Sequence, residues 1–333
     1  MPDSQIVADL FPDSPELADS ISEGLAAVEH ILIECLSGGH DLMVETSLHL
    51  AQAGGKRFRP MFAVLTAQLG PRPADLEVAT AAAAVELIHL ASLYHDDVMD
   101  EAALRRGTPS ANALWGNKIA ILVGDYLFAH ASRLVATLGT EAVRIMADTF
   151  SELVAGQARE TAGAGRRDPV EHYLQVVREK TGALIATAGR FGGMFSGADD
   201  ERVQRIQRLG DAIGVAFQIA DDTIDITSTA DQSGKEPGTD LREGVHTLPV
   251  LYALRETGPE ADRLRALLVG PLEQDADVSE ALALLSRSNG IKTAKQELRR
   301  HVDRALIELE QLPAGPANQA LARLVHLSVE RAS

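Results

Sequence analysis

Cysteine is all but missing from this chain: Cys35 stands alone among 333 residues. An internal disulfide framework and a cysteine-based zinc site are thereby excluded. Cys35 lies in the apolar stretch His30 to Leu36, which predicts a buried structural thiol rather than a nucleophile. Aromatic residues are scarce, at 4%, whereas alanine is plentiful and runs together at Ala81-Ala82-Ala83-Ala84. Small side chains let helices approach closely, so the composition leans to helices and away from a β-sandwich. Positive charge is in deficit, with 31 Lys and Arg against 48 Asp and Glu and a formal net charge of -17. That excludes a nucleic-acid partner held by a general positive field. An anion can still be bound where metals or clustered cations reverse the sign locally.

No apolar run approaches the roughly 20 residues that a membrane span requires. The opening MPDSQIVADLFPDSPELADS has neither a basic nor an apolar leader region, so no signal peptide is expected. A soluble, cytoplasmic protein is expected, and 45% apolar residues are enough for a sizeable core.

The patterning is helical throughout. Residues 1–18 form a loose lead-in broken by Pro12 and Pro15. From Ser20 to Gln52 apolar residues recur at three- and four-residue spacing. Gly54-Gly55 interrupts this, and Lys56-Arg57-Phe58-Arg59 opens a new helix, with Pro60 tolerable in its first turn. Pro71 and Pro73 mark a turn, and Asp75 caps a helix over Leu76 to Met99. Gly107-Thr108-Pro109 is expected as a loop, Lys118 to Leu138 and Val203 to Ile226 as helices, and residues 227–239 as a mobile loop. No strand pattern stands out, and no composition shift marks a boundary. The expectation is an all-α protein whose residues 19–333 make one domain.

The chemistry concentrates in two acidic motifs. Asp96-Asp97-Val98-Met99-Asp100 comes after the apolar run Ala82 to Tyr94. On a helix Asp96 and Asp100 lie about 40° apart around the axis and one turn apart along it. Taken alone, the motif reads equally well as a solvated acidic helix end. Asp221-Asp222-Thr223-Ile224-Asp225 then repeats the spacing after a second apolar helix. Acidic groups at a helix C-terminus are disfavoured by the macrodipole, and doing this twice wants a compensating reason. Two carboxylate clusters that bind hard cations supply one, since Mg²⁺ recruits carboxylates together with substrate phosphates. Lys56, Arg59, Arg105, Arg106, Lys180 and Lys235 provide the cations for a diphosphate. His89 lies seven residues before Asp96 and so on nearly the same helical face.

These stretches resemble the trans-isoprenyl diphosphate synthases. The similarity is carried by Gly54 to Pro60 (GGKRFRP), Leu93 to Arg106 (LYHDDVMDEAALRR), Gly124-Asp125-Tyr126-Leu127, Lys180-Thr181-Gly182 and Phe217 to Asp222 (FQIADD). The resemblance implies a bundle of many helices around a deep cavity, usually as a homodimer. It implies that Lys56, Arg59, His89 and Arg106 hold isopentenyl diphosphate. Asp96, Asp97, Asp100, Asp221, Asp222 and Asp225 would bind Mg²⁺ on the allylic diphosphate, Asp96, Asp100, Asp221 and Lys180 being the catalytic core. Arg105, Lys180, Thr181, Gln218 and Lys235 would touch the allylic substrate. One departure stands out: the family often places a lysine after Glu-Gly just before Thr-Leu-Pro, and here Val245 and His246 come after Glu243-Gly244.

Short-chain members of the family tend to put a bulky residue about one turn before the first motif. Ser92, Ala91 and, deeper, Ala84 are small. A long all-trans polyprenyl product is therefore expected, a precursor of quinone side chains that would be delivered to a membrane. The alternatives are a short-chain geranylgeranyl or farnesyl synthase and a non-catalytic subunit of a heteromeric synthase, although such subunits commonly lose aspartates. A terpene cyclase would usually replace the second cluster and lack the isopentenyl-binding cations, and a helical scaffold explains neither feature.

Overall fold

The computed structural model describes residues 10–12, 14–55, 57–227 and 237–330. The fold is all-α. In chain order the helices are α1 (Pro15–Leu36), α2 (Asp41–Gln52), α3 (Phe58–Ala67), α4 (Leu76–Met99), α5 (Ala111–Trp115), α6 (Asn117–Thr137), α7 (Thr140–Ala162) and α8 (Pro169–Val177). A π-helical turn over Arg178–Gly182 joins α8 to α9 (Ala183–Phe195), and α10 (Asp200–Thr227) comes next. The remainder is α11 (Thr239–Glu243), α12 (Leu248–Ala253), α13 (Pro259–Leu267), α14 (Asp275–Arg287), α15 (Gly290–Glu310) and α16 (Pro316–Glu330).

The chain divides into two compact units. The first comprises Met1–Ser151, Leu184–Gly210 and Glu308–Ala322, and the second comprises Glu152–Ala183, Asp211–Ile307 and Arg323–Ser333. In the first unit α4 is the central element. Asp75 caps it, its side chain accepting from Glu77 N at 3.2 Å, as the sequence predicts. Positions Ala81 to Ile88 are all buried, so every face of that stretch is covered, and the alanines are what let neighbours come that close. Helices α1, α3 and α6 pack against it. In the second unit Ile226, Leu241, Val250, Leu264, Leu268, Val278 and Leu285 form a separate apolar core.

Three expectations need correction. Two helices, α4 and α6, are long and apolar enough to span a membrane by length and composition, contrary to the reading of the sequence. In α4 67% of that window is buried inside the protein, in α6 only 39%. Cys35 is partly rather than fully buried. The expected loop at Gly107-Thr108-Pro109 is a small antiparallel hairpin, with β1 (Leu104–Arg105) paired to β2 (Thr108–Pro109). Arg106 and Gly107 form its two-residue turn with φ of 53° and 76°, the positive values that a right-handed strand pair favours. The turn went unrecognised because an arginine occupies a position where Asn, Asp or Gly is usual.

Helix α9 lies directly on α3. A Cβ at Gly192 would meet Ala63 O at 2.2 Å and Thr66 Oγ1 at 2.3 Å. Alanine ordinarily stabilises a helix relative to glycine, but here the steric term dominates because backbone is the obstacle. Gly192→Ala should cost about 1–3 kcal/mol in urea unfolding. Gly38→Ala, with nothing within 4 Å, serves as the neutral control; equal stability of both variants would contradict this packing.

Candidate active site

In the first unit one face of α4 carries Glu86, His89 and Asp96, at spacings of three and seven. The helix ends at Asp100, Glu101 turns left-handed at φ 51°, and Ala102 N bonds back to Asp97 O at 2.9 Å. That is the six-to-one bond of a Schellman ending. The chain reverses into the β1–β2 hairpin, and this brings Arg105 onto Asp97. Arg105 Nε and Nη2 lie 2.6 and 2.5 Å from Asp97 Oδ1. Asp97, predicted as a metal ligand, is buried and held by this pair; Arg105, predicted to touch the substrate, is its partner. Asp96 is half-buried and Asp100 is exposed.

The same hairpin turn aims Arg106 at the end of α2, where Nη1 donates to Leu50 O at 3.2 Å and, at close range, to Gly54 O. Arg57, at φ 48°, opens α3 from the left-handed region. All three of its guanidinium nitrogens are engaged: Nε donates to Glu29 at 2.5 Å, Nη1 to Glu86 at 3.0 Å and Nη2 to Ala51 O at 2.7 Å. Arg59 lies on the first turn of α3, and its Nε is buried with no partner among the described residues. The three non-glycine residues with positive φ among the described residues are Arg57, Glu101 and Arg106. Each costs about 1–3 kcal/mol, and all three serve to orient this one region.

The electrostatics derive from burial. Desolvation lowers Arg59 to about 10, with Arg106 adding to the effect and Glu86 opposing it. Arg106 is lowered chiefly by burial too. His89 is driven well below its usual value by burial and then by Arg59, Arg106, Arg57 and Arg105, so it is a neutral imidazole at pH 7. Burial pushes the Glu86 carboxyl up while Arg57, Arg59 and Arg106 pull it down. A single buried carboxylate thus faces three arginines, a surplus of desolvated positive charge that suits a multivalent anion. Neither Arg57 nor Glu86 was singled out in the sequence.

The second unit holds a different array. The π turn presents Lys180, which pairs closely with Glu160, and Thr181, whose Oγ1 donates to Gln218 Oε1 at 3.1 Å. Gln218 Nε2 donates to Asp222 Oδ1 at 2.9 Å, and the Tyr173 hydroxyl donates closely to Asp222 Oδ2. Asp222 is buried, and burial lifts its pKa to about 6 against the pull of the Tyr173 and Gln218 hydrogen bonds. Asp225 accepts from the backbone N–H groups of Thr239 and Asp240, each at 3.2 Å. Asp221 is exposed. Val245, where the family often has lysine, is 45% exposed. Lys56, Lys235 and most of the predicted mobile loop lie outside the described residues.

Among the described residues no three His, Cys, Asp or Glu side chains are grouped so as to hold a metal by themselves. The donor chemistry nevertheless fits magnesium. Asp96 and Asp100 offer hard carboxylate oxygens one turn apart, and Mg²⁺ typically takes one or two carboxylates and completes its shell with water and substrate phosphate.

The chain has counterparts in sequence and fold among known proteins. Residues 40–285 match the family described as polyprenyl synthetase. The chain is 58% identical to nonaprenyl diphosphate synthase of Mycobacterium tuberculosis over 327 residues, covering 98% of each chain. It is 46% identical to dimethylallyltranstransferase of the same organism, covering 93% of this chain and 95% of that one. Its fold is similar to a solved geranylgeranyl pyrophosphate synthase of Corynebacterium glutamicum, complexed with calcium and isoprenyl diphosphate. That likeness has a TM-score of 0.89 and 50% identity, over 97% of this chain and 99% of the other.

The suppressed basicity of His89 has a measurable sign. The unfolded chain takes up a proton there as pH falls below about 6.5, whereas the folded protein resists doing so. Stability from this group is complete above that pH and is lost on acidification. His89→Gln should lose less of its urea midpoint between pH 7.5 and 5.5 than the native chain; equal losses would mean that the imidazole is not held neutral.

Proposed function

The chain belongs to the polyprenyl synthetase family and is a prenyltransferase joining isopentenyl diphosphate to an allylic diphosphate, and from that premise we propose that it makes a long all-trans polyprenyl diphosphate in a magnesium-dependent reaction. The observation that carries the chain length is the small side chains at Ala84, Ala91 and Ser92 before Asp96. Ala84 and Ala91 are fully buried in α4 and Ser92 half-buried, so none of these three positions sets a bulky group against a growing tail. Tyr94, further along the same helix, gives its hydroxyl to Thr46 O and accepts from Leu50 N at 3.3 Å, which ties it to α2. The name of the mycobacterial relative, a nonaprenyl synthase, agrees. That of the corynebacterial one, a geranylgeranyl synthase, favours a C20 product as the second reading.

The proposed roles reflect the chemistry of each half. Arg59, His89 and Arg106, with Lys56, bind isopentenyl diphosphate: an entering diphosphate satisfies the bare Arg59 Nε and neutralises the surplus charge. We propose the six aspartates of the two motifs as magnesium ligands, chiefly Asp96, Asp100 and Asp221; Asp97, Asp222 and Asp225 also hold hydrogen bonds within the protein. Magnesium, when bound, supplies Lewis-acid stabilisation of the departing pyrophosphate; the calcium in the corynebacterial structure supports a divalent site. Thr181 and Gln218 aim their dipoles at the allylic carbon as positive charge develops there. Lys180, now paired with Glu160, exchanges that partner for substrate phosphate.

A homodimer forms part of this proposal. Ile121 and Leu122 on α6 and Leu114 on α5 are 44%, 53% and 48% exposed, large apolar side chains that a second copy of the chain would cover. Leu122→Asp should convert the dimer to monomer in light scattering after size exclusion. A dimer surviving both Ile121→Asp and Leu122→Asp would rule out this face.

Product analysis tests the activity. Mass spectrometry of incubations with isopentenyl and farnesyl diphosphates should show a ladder ending in a long polyprenyl diphosphate with Mg²⁺ and none with EDTA. Ending at C20 would favour the second reading. Ser92→Phe and Ala91→Phe should each shorten the product without abolishing turnover, and unchanged length in both would refute the wall assignment.

A further inference from the structure

Tyr173 lies on α8, 49 residues before Asp222, yet its hydroxyl ends on that carboxylate. The contact completes a chain of donors and acceptors: Thr181 Oγ1 to Gln218 Oε1 at 3.1 Å, Gln218 Nε2 to Asp222 Oδ1 at 2.9 Å, Tyr173 Oη to Asp222 Oδ2. Each link fixes the next. A primary amide can present either its oxygen or its nitrogen in a given direction. Asp222 is an acceptor, so it draws the Gln218 nitrogen and leaves the amide oxygen for Thr181. Asp222 can do this only while it is held in place, and a buried carboxylate is costly unless both oxygens are hydrogen-bonded. Gln218 supplies one bond and Tyr173 the other.

The backbone is arranged for this contact. Eight residues separate Tyr173 from Thr181, and an unbroken α-helix would set them about 80° apart around its axis. The π turn over Arg178–Gly182 has a wider turn and so less rotation per residue, which brings Thr181 back towards the face of Tyr173. Both side chains thereby reach α10, at Asp222 and Gln218.

We infer that Tyr173 is a positioning residue for the prenyl transfer, acting through Asp222 to hold the Gln218 amide and the Thr181 hydroxyl in register. The inference rests on the reading that Thr181 and Gln218 touch the allylic substrate. Tyr173 does not itself contact substrate. Its removal therefore impairs the step in which charge develops on the allylic carbon and leaves isopentenyl diphosphate binding alone.

Two measurements on the full-length protein test it. Tyr173→Phe keeps the ring and removes only the donor. With a farnesyl primer it should lower kcat about tenfold while KM for isopentenyl diphosphate stays within about twofold. In a Thr181→Val background the same change should have less than half that effect on a logarithmic scale, because the two act through one chain. An unchanged kcat, or the same loss in both backgrounds, overturns the proposal. The second arm does not depend on turnover: crystal structures of the native chain and of Tyr173→Phe should show Gln218 leaving its contact with Thr181 in the variant. Gln218 unmoved there overturns the positioning role even if the native protein elongates nothing, an outcome that would separately refute the proposed function.

Discussion

Helix α4 has to satisfy two requirements that conflict. It fills the middle of an apolar core, covered on every side from Ala81 to Ile88, and on that same body it carries Glu86, His89, Asp96 and Asp97. Ionisable groups on a buried helix are tolerated only when partners arrive from other elements. The surrounding architecture of the first unit supplies those partners. The end of α2 and the start of α3 bring Arg57 and Arg59, and the reversal after Asp100 brings Arg105 and Arg106. Backbone strain at three positions is the cost of delivering those cations to one place.

The two units solve the problem of buried charge in opposite ways. Around Glu86 the arginines outnumber the acid, and what remains is a desolvated positive surplus that a diphosphate can complete. Around Asp222 the donors are neutral, a tyrosine and an amide, and the carboxylate is kept rigid and its proton affinity raised. The first arrangement is suited to capturing an anion. The second suits fixed dipoles that must not reorganise while charge moves.

Much of this was legible in the sequence. The helical class, the bounds of α4 and its Asp75 cap came from local signals. The repeated Asp-Asp-x-x-Asp spacing separated chemistry from a solvated helix end. Glu86 could have been found, since only it and His89 are readily ionised between Ala81 and Tyr94, and a lone acid in such a run demands a buried partner. The Arg106-Gly107 turn was hidden because its first residue is atypical for its geometry. The pairing of Asp97 with Arg105 depends on a helix ending that uses Glu101 where glycine is usual, and Tyr173 meets Asp222 only through tertiary structure. Local pattern revealed which residue types carry the chemistry; it did not divide them between ligands and the groups that hold ligands still.

The π turn at Arg178–Gly182 also limits how this sequence can change. It accommodates one residue more than an α-helical turn would. Losing one residue there would restore a continuous α-helix and leave α8 and α9 in nearly the same rotational register, since the wider turn spends one residue more on nearly the same rotation. A residue lost elsewhere along α8 or α9 would instead rotate one side of the loss by about 100° relative to the other. Descendants of this chain can drift by substitution along α8, but a single-residue deletion that spares the register of these helices has to fall within the turn.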